Sequence, residues 1–336
     1  HRTPRRAGPA TRQRPRALRP IADTLADALG AGLLLLDNCE HVVSGAAELA
    51  RVLLDRCPAL RILATSRAAL RLPDELTVAV PPLPFPAPDG DHTIAGLTVH
   101  PASRLFLERA RARSGRPVPE SDAAAVARLC AELDGLPLAI ELAAARTPVL
   151  SVPEIVKRLQ ADPAVLRSPD PTAPARHRTV AAAVESSVDQ LEPAARLLFD
   201  RLAVFAGGFD SEAAVAVAGP DAADGLAALV EASLVETQRP GADARYRMLM
   251  PIHRQALTRL RAAGAEDAAR LAHARHFLAL AERAEGGLRG SAQGWWLGRL
   301  RREAANLRAA MGWLRTAAEP DGDPASVCRA KTRTRR

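Results

Sequence analysis

The sequence predicts a mostly α-helical chain with a partial α/β unit near its N-terminal end, and three observations carry that expectation. Two short apolar runs, LLLL at 33–36 and LRILA at 60–64, flank a segment with helical spacing, the pattern of a parallel βαβ unit. From Pro101 to about Gln160, and again from Thr179 onward, apolar residues recur at intervals of three and four. Hydrophobic residues make up 48% of the 336 positions but aromatics only 3%, so the cores must be built from Leu, Val and Ala, a composition that favours helices.

Ile21–Leu29 reads as a short amphipathic helix, followed by the strand Leu33–Leu36. Four leucines ending in a lone carboxylate suggest a strand buried on both faces that delivers Asp37 to the carboxyl edge of a parallel sheet. That edge is where such sheets bind ligands. Val42–Asp55 returns to helical spacing, with Val43, Ala47, Ala50 and Leu54 on one face. A second strand, Leu60–Ala64, ends in Thr65, Ser66 and Arg67, and a third is expected over Leu76–Val80. Five prolines between 81 and 88 then close the sheet unit.

Three helices follow in SRLFLERARAR, SDAAAVARLCAEL and LPLAIELAAAR, with Ser121 or Asp122 as the cap of the second. Between the last two, Gly135 ends one helix and Pro137 begins the next. The Pro-rich stretch DPAVLRSPDPTAPARH reads as a linker. Helices are then expected at Thr179–Gln190, Pro193–Val204, Ser211–Val217 and Ala222–Ser233. Strands at Leu234–Gln238 and Arg245–Leu249 enclose the turn RPGADA, and a helix starts at Pro251. Helices followed by a β-hairpin make a winged helix. Asp267–Ala318 is Ala/Leu/Arg-rich helix, read as the start of a TPR-like helical array with Trp295, Trp296 and Trp313 in its seams.

The net charge of +8 is concentrated at the ends. Residues 1–20 and 329–336 together carry twelve basic residues and no acid, leaving a net −4 on residues 21–328. Both ends read as basic disordered tails rather than as a nucleic-acid surface. Cys39, Cys57, Cys130 and Cys328 form no CxxC pair, which argues against a zinc site or a disulfide framework. His41, His273 and His276 have no partner at metal-ligand spacing, and Ser186 and Ser187 lack the glycines of a nucleophile elbow. No apolar run reaches the roughly 18 to 20 residues that span a bilayer, so no membrane association and a cytoplasmic location are expected.

A phosphate loop of the form GxxxxGK[ST] needs glycines and a following lysine. The two lysines, Lys157 and Lys331, have no glycines at that spacing. DNCEHV after an apolar strand, then ILATSR, VPPLP, LDGLPLAIELAAAR, RHRTVAAAVESSVDQL, LFDRLAVFAGGF, LVEASLV and RYRML, in that order, nevertheless resemble one family closely. It is the STAND-class, NB-ARC-type ATPase core of large bacterial transcriptional regulators of the LuxR-like and SARP-like (AfsR-like) kind. The resemblance runs from about Leu18 to Thr316. In that family the phosphate loop precedes this stretch, so the sequence resembles a protein that begins midway through its P-loop NTPase domain.

The resemblance implies a set of roles. Asp37 resembles the Mg²⁺-side aspartate of the second Walker motif, a catalytic and indirect metal position, and the following Asn38 lacks the chemistry of a general base. Thr65 and Arg67 resemble the sensor segment at the terminal phosphate, a task suited to a fixed guanidinium. Gly135, Leu136 and Pro137 match the GLPLA motif against the nucleotide, ADP or ATP with Mg²⁺. Where the family places a Met-His-Asp motif, this chain has Leu249, Met250 and Pro251, with His253 a turn later.

The implied organisation is a tail at 1–20, the C-terminal half of the NTPase domain at 21–85, and a helical subdomain at 101–162. A winged helix at 176–263, a helical array at 266–318 and a second tail at 319–336 complete it. The candidate recognition helix Asp221–Ala232 carries Asp221, Asp224 and Glu231 but no Arg, Lys, Asn or Gln, the wrong chemistry for phosphates and base edges. Sequence-specific DNA binding by the winged helix is therefore not expected. Protein partners or self-assembly through the C-terminal helices are. The expected function is a signalling ATPase module of a transcriptional regulator; the alternative is a non-catalytic interaction module with a vestigial nucleotide site.

Overall fold

The computed structural model describes residues 18–162, 165–168, 170, 172, 174, 178–239 and 244–317. Residues 1–17 of the first basic tail, the whole second tail with Cys328, and the centre of the RPGADA turn lie outside them, whereas residues 18–20, expected in the first tail, begin the first helix. The described residues form fifteen α-helices and four short strands, so the chain is mostly α as expected. They divide into two compact units, one ending at Ala79 and one beginning at Val80.

In the first unit, helix α1 (Leu18–Leu29) leads to β1 (Leu33–Leu36), helix α2 (Val43–Arg56) and β2 (Arg61–Ala64). The strands pair in parallel, Leu33 opposite Arg61 through Leu36 opposite Ala64, which is the expected βαβ unit. Leu34 and Ile62 pack against Leu25, Ala26 and Leu29 of α1 and Leu49 and Leu53 of α2. Both helices therefore cover the same sheet face.

Three expectations are corrected here. The strand read as buried on both faces is covered on one only, because period-two alternation sends Leu33, Leu35 and Leu63 to the face opposite the helices. These leucines are 60%, 64% and 57% exposed. The buried stripe of α2 is Ala46, Ala50 and Leu53, and Leu54 points outward; the stripe follows the helix period one residue earlier than the sequence pattern suggested. Leu76–Val80 forms no strand: Leu76, Val78 and Val80 are exposed, and no ladder among the described residues takes them up.

The second unit begins with the extended VPPLP segment and the short helix α3 (Ile94–Leu97). It continues with α4 (Pro101–Ser114), α5 (Ala123–Glu132), α6 (Pro137–Ala144) and α7 (Val152–Ala161). Phe106, Leu129, Leu133, Ile140, Ile155 and Leu159 form the centre of their core. Thr93 and Ser151 cap α3 and α7 through their hydroxyls. The cap expected from Ser121 or Asp122 is absent, because a 3₁₀ turn at Glu120–Asp122 runs straight into α5 and Asp122 makes no side-chain cap bond.

A larger core collects α8 (Val180–Val188), α9 (Pro193–Arg201), α10 (Ser211–Ala218) and α11 (Ala222–Glu231) around Phe199, Leu202, Phe209 and Leu229. The antiparallel hairpin of β3 (Glu236–Arg239) and β4 (Arg245–Arg247) follows, with Phe209 bridging to Tyr246 as a third, minimal strand. Helix α12 (Met250–Ala262) leads into α13 (Glu266–Gly287), α14 (Gln293–Arg302) and α15 (Ala304–Ala317). Trp296 and Trp313 pack on this core, and Gly287 makes room for Trp296, whose indole would lie 1.9 Å from a Cβ placed there. Trp295, expected in a seam, is 55% exposed instead. Leu136 and Val180 touch both cores of the unit and join them.

Candidate functional site: a sheet edge and a helix junction

The predicted site residues fall in two places. Asp37, Thr65 and Arg67 belong to the first unit; Gly135, Leu136 and Pro137 belong to the second. Each group has its own geometry.

At the carboxyl edge of the parallel strands, the backbone of one strand end holds the other. The Thr65 N–H donates to Leu36 O at 2.8 Å, and the Cys39 N–H donates to Thr65 O at 2.9 Å. The Thr65 hydroxyl donates to Asp37 Oδ1 and accepts from the Asn38 N–H at 2.9 Å. Asn38 has φ 65°, the left-handed region that Asn tolerates better than most residues, and it turns the chain into the 3₁₀ turn Cys39–His41. Asp37 and Thr65 are thus brought together, and Thr65 sets the position of the carboxylate.

Arg67 lies at the same edge, with Nε 3.6 Å from Glu40 Oε1. The Glu40 carboxylate is 7% exposed. Burial first, then the negative charges of Glu40 and Asp37, raise the pKa of the Cys39 thiol, which fits two carboxylates crowded at this edge. Sequence reasoning missed Glu40. The signal was present in DNCEH, a second acid three residues after Asp37 on a tight turn.

These residues fit one side of a Mg²⁺–nucleotide. Asp37 could hold a hydrated cation and Arg67 an oxyanion, but no group of three or more His, Cys, Asp or Glu among the described residues could bind a metal directly. No glycine-rich phosphate cradle stands beside them in the sequence. The phosphate side of the group is not matched, so no hydrolytic step is assigned.

In the second unit the GLPLA segment forms a packed junction. The Gly135 N–H donates to Cys130 O at 3.1 Å and ends α5. Gly135 has φ +66°, and a Cβ there would meet Leu83 O at 2.0 Å. Leu83 donates its N–H to Gly135 O at 3.0 Å, so the VPPLP segment lies directly on the turn. Leu136 is extended, as a residue before proline prefers, and Pro137 opens α6 where no N–H is needed.

Asp134, beside this motif, proves to be the residue that reaches across the unit. It is buried with φ 47°, and its Oδ2 accepts from the Met250 N–H at 2.5 Å. Its Oδ1 lies 3.4 Å from Arg247 Nη1, and the neighbouring Glu132 pairs with Arg254. Leu249, the N-cap residue of α12, has no side chain able to accept a hydrogen bond. The cap comes instead from the turn between α5 and α6. Behind it, His253 has its pKa lowered by burial, with backbone hydrogen bonds at Phe205 and Ala203 acting in the opposite direction.

A second polar joint ties the C-terminal helices to the AGGF loop. Asn306 is fully buried; its Nδ2 donates to Gly208 O and Glu303 Oε2, both at 2.8 Å, and its Oδ1 accepts from Ala206 N–H at 2.9 Å. Arg245 pairs with Glu303 and donates to Gly207 O and Gly208 O, each at 3.2 Å. His273 is buried among Phe205, Phe277 and this joint, its Nε2 has no hydrogen-bond partner, and burial brings its pKa down to about 4. Cys39, Cys57 and Cys130 are buried free thiols. No single helix among the described residues is long and apolar enough to cross a membrane.

No family model matches the chain. It is 37% identical over 293 residues to a protein of Mycobacterium tuberculosis named "Putative HTH-type transcriptional regulator", and equally to one of the same name from Mycobacterium bovis. An uncharacterized protein of Mycobacterium tuberculosis is also 37% identical, over 252 residues that make up 73% of this chain and 61% of that protein. The match to the regulators covers 84% of this chain but only 31% of their length. The chain is therefore similar, over most of its own length, to a minor segment of proteins named as transcriptional regulators.

Proposed function

We propose that the chain is part of a STAND-type, NB-ARC-like signalling module in a cytoplasmic transcriptional regulator. The observation that carries this reading is the convergence of Asp37, Thr65 and Arg67 on the carboxyl edge of the parallel strands, in a chain similar to regulators over 84% of its length. A bound nucleotide would supply a hydrated Mg²⁺ for Asp37 and a terminal phosphate for Arg67. Thr65 holds the Asp37 carboxylate in place, and Arg67 supplies fixed positive charge. Residues 176–263 act as an intramolecular winged helix, and residues 266–318 open a TPR-like array for protein partners or self-assembly.

The test is equilibrium binding of ADP and ATP, with and without Mg²⁺, to the purified chain and to Asp37→Ala and Arg67→Ala. Binding that depends on Mg²⁺ and is weakened at least about tenfold by either substitution supports the reading. No binding by a folded chain rejects it.

One observation favours a second reading, a non-catalytic packing module. Asp134 clamps Met250 and Arg247 directly, so the GLPLA turn and α12 are joined by the protein's own carboxylate. Under that reading the two halves of unit two stay together with no ligand, and the sheet edge is vestigial.

A further inference from the structure

Resting on the reading of the C-terminal helices as a partner surface, and independent of any nucleotide, we infer that the outer face of α14 is a docking site for an acidic amphipathic helix of a partner protein.

Helix α14 has no buried residue, although the helices before and after it do. Trp296 turns toward the core of the second unit. At about 100° per residue, that orientation puts Leu297 and Arg301 on one flank of the helix and Trp295 and Arg302 on the other. Gly294 and Gly298 lie along the crest between them, and a Cβ built on either would meet nothing within 4 Å. The outcome is a shallow trough with an apolar wall on each side: Trp295 is 55% exposed and Leu297 is 41% exposed. Large apolar side chains around a bare crest are the makings of a contact surface, since they help neither solvation nor helix stability.

The charge indicates what kind of helix fits. Residues 293–317 contain five arginines and one acid. The acid, Glu303, is buried against Arg245, and Arg299 is occupied by Asp210 and Glu212. Arg301, Arg302, Arg308 and Arg315 form no ion pair among the described residues. An apolar trough bordered by uncompensated guanidinium groups is complementary to a helix with leucines at i, i+3, i+4 and i+7 and carboxylates beside them. A second copy of this chain offers no such ridge through its acidic helix α11, whose exposed side carries Ala223, Asp224 and Ala227 while Leu226 and Leu229 are buried. Single-stranded nucleic acid is bound on a series of stacking rings, which Leu297 does not supply.

The experiment uses the full chain and a fluorescein-labelled helical peptide with leucine at i, i+3, i+4 and i+7 and glutamate and alanine elsewhere. Two control peptides change one property each: lysine for glutamate, and glutamine for leucine. Affinity is read by anisotropy, and the place of binding by protection of Trp295 from hydroxyl-radical oxidation. The expected result is binding of the acidic amphipathic peptide but of neither control, protection of Trp295, and a loss of at least about tenfold when Arg301→Glu and Arg302→Glu are combined. Leu297→Gln, which leaves the charge intact, should weaken binding by about three- to tenfold and keeps the test open if the charge reversal loses cooperative unfolding.

Equal binding of the glutamine control overturns the inference, because charge attraction alone then accounts for binding. Tighter binding of oligo(dT) than of the peptide also overturns it and makes the face a nucleic-acid surface. Self-association in sedimentation that the α14 substitutions abolish makes a second copy the occupant; the inference falls and the partner-surface reading stands. Peptide binding that protects other residues of α13–α15 but not Trp295 has the same consequence. No peptide binding and no self-association by the folded chain rejects both.

Discussion

Asp134 and Met250 stand 116 residues apart in the chain, and the Asp134 carboxylate caps the helix that Met250 begins. The contact couples the turn between α5 and α6 to the start of α12, with Arg247 and the Glu132–Arg254 pair on either side. Helix α12 has an apolar N-cap, so its first turn depends on a distant residue for what a local Ser or Asp normally supplies.

Asp134→Ala removes the cap, takes from Arg247 one of its two carboxylate partners, Glu236 remaining, and leaves a residue with no local hydrogen bond at φ 47°. A loss of about 2 to 3 kcal/mol is expected in urea unfolding. Asp134→Asn keeps an acceptor for Met250 and tolerates the backbone, and should lose about half as much. Equal losses for the two would contradict the capping role.

Gly135→Ala meets Leu83 O at 2.0 Å and adds strain at φ +66°. The VPPLP segment has to move, so destabilisation of about 2 kcal/mol or more is expected, with faster proteolysis between Val80 and Pro88. Thermal unfolding and mapping of the first cleavage sites check this.

Asn306→Leu leaves the Ala206 N–H without its partner, takes one of two donors from the Gly208 carbonyl, which keeps Arg245, and frees Glu303 on one side. A buried donor left unsatisfied should cost about 1 to 3 kcal/mol. The same substitution should raise hydrogen exchange around Ala206–Phe209, which places the effect at the AGGF loop rather than throughout α15.

His273 has a folded pKa of about 4 against an ordinary value of 6.5, chiefly because it is buried. Between those values the unfolded chain binds the proton and the folded chain does not, so stability falls as pH drops from 6.5 toward 4. His253 and His276, also lowered by burial, act in the same direction. His273→Leu should reduce the slope of unfolding free energy against pH in that window; an unchanged slope would remove His273 from the account.

The sequence disclosed local structure well and surroundings poorly. The parallel pair, the GLPLA turn and the hairpin around Tyr246 were legible because periodicity, Gly135 and Pro137 act within a few residues. The exposure of Leu33 and Leu35 was not, since four leucines look the same whether one face is covered or two. Leu76–Val80 has strand composition but no ladder partner among the described residues, and pairing is not written in a segment's own composition. At the candidate site, the meeting of Asp37 and Thr65 at neighbouring strand ends was legible from the two apolar runs that precede them. Glu40 left a signal in DNCEH that did not reveal its partner 27 positions away, and Asp134 left none, its partner lying 116 positions away.

The most direct test of the central claim is amide hydrogen exchange of the intact chain with and without Mg²⁺–ADP, resolved at residues 37–42 and 65–67. Slowed exchange in both segments on adding nucleotide, lost in Asp37→Ala, is the predicted result. Unchanged exchange at this edge under saturating nucleotide would contradict the claim that Asp37, Thr65 and Arg67 form the nucleotide side of the module.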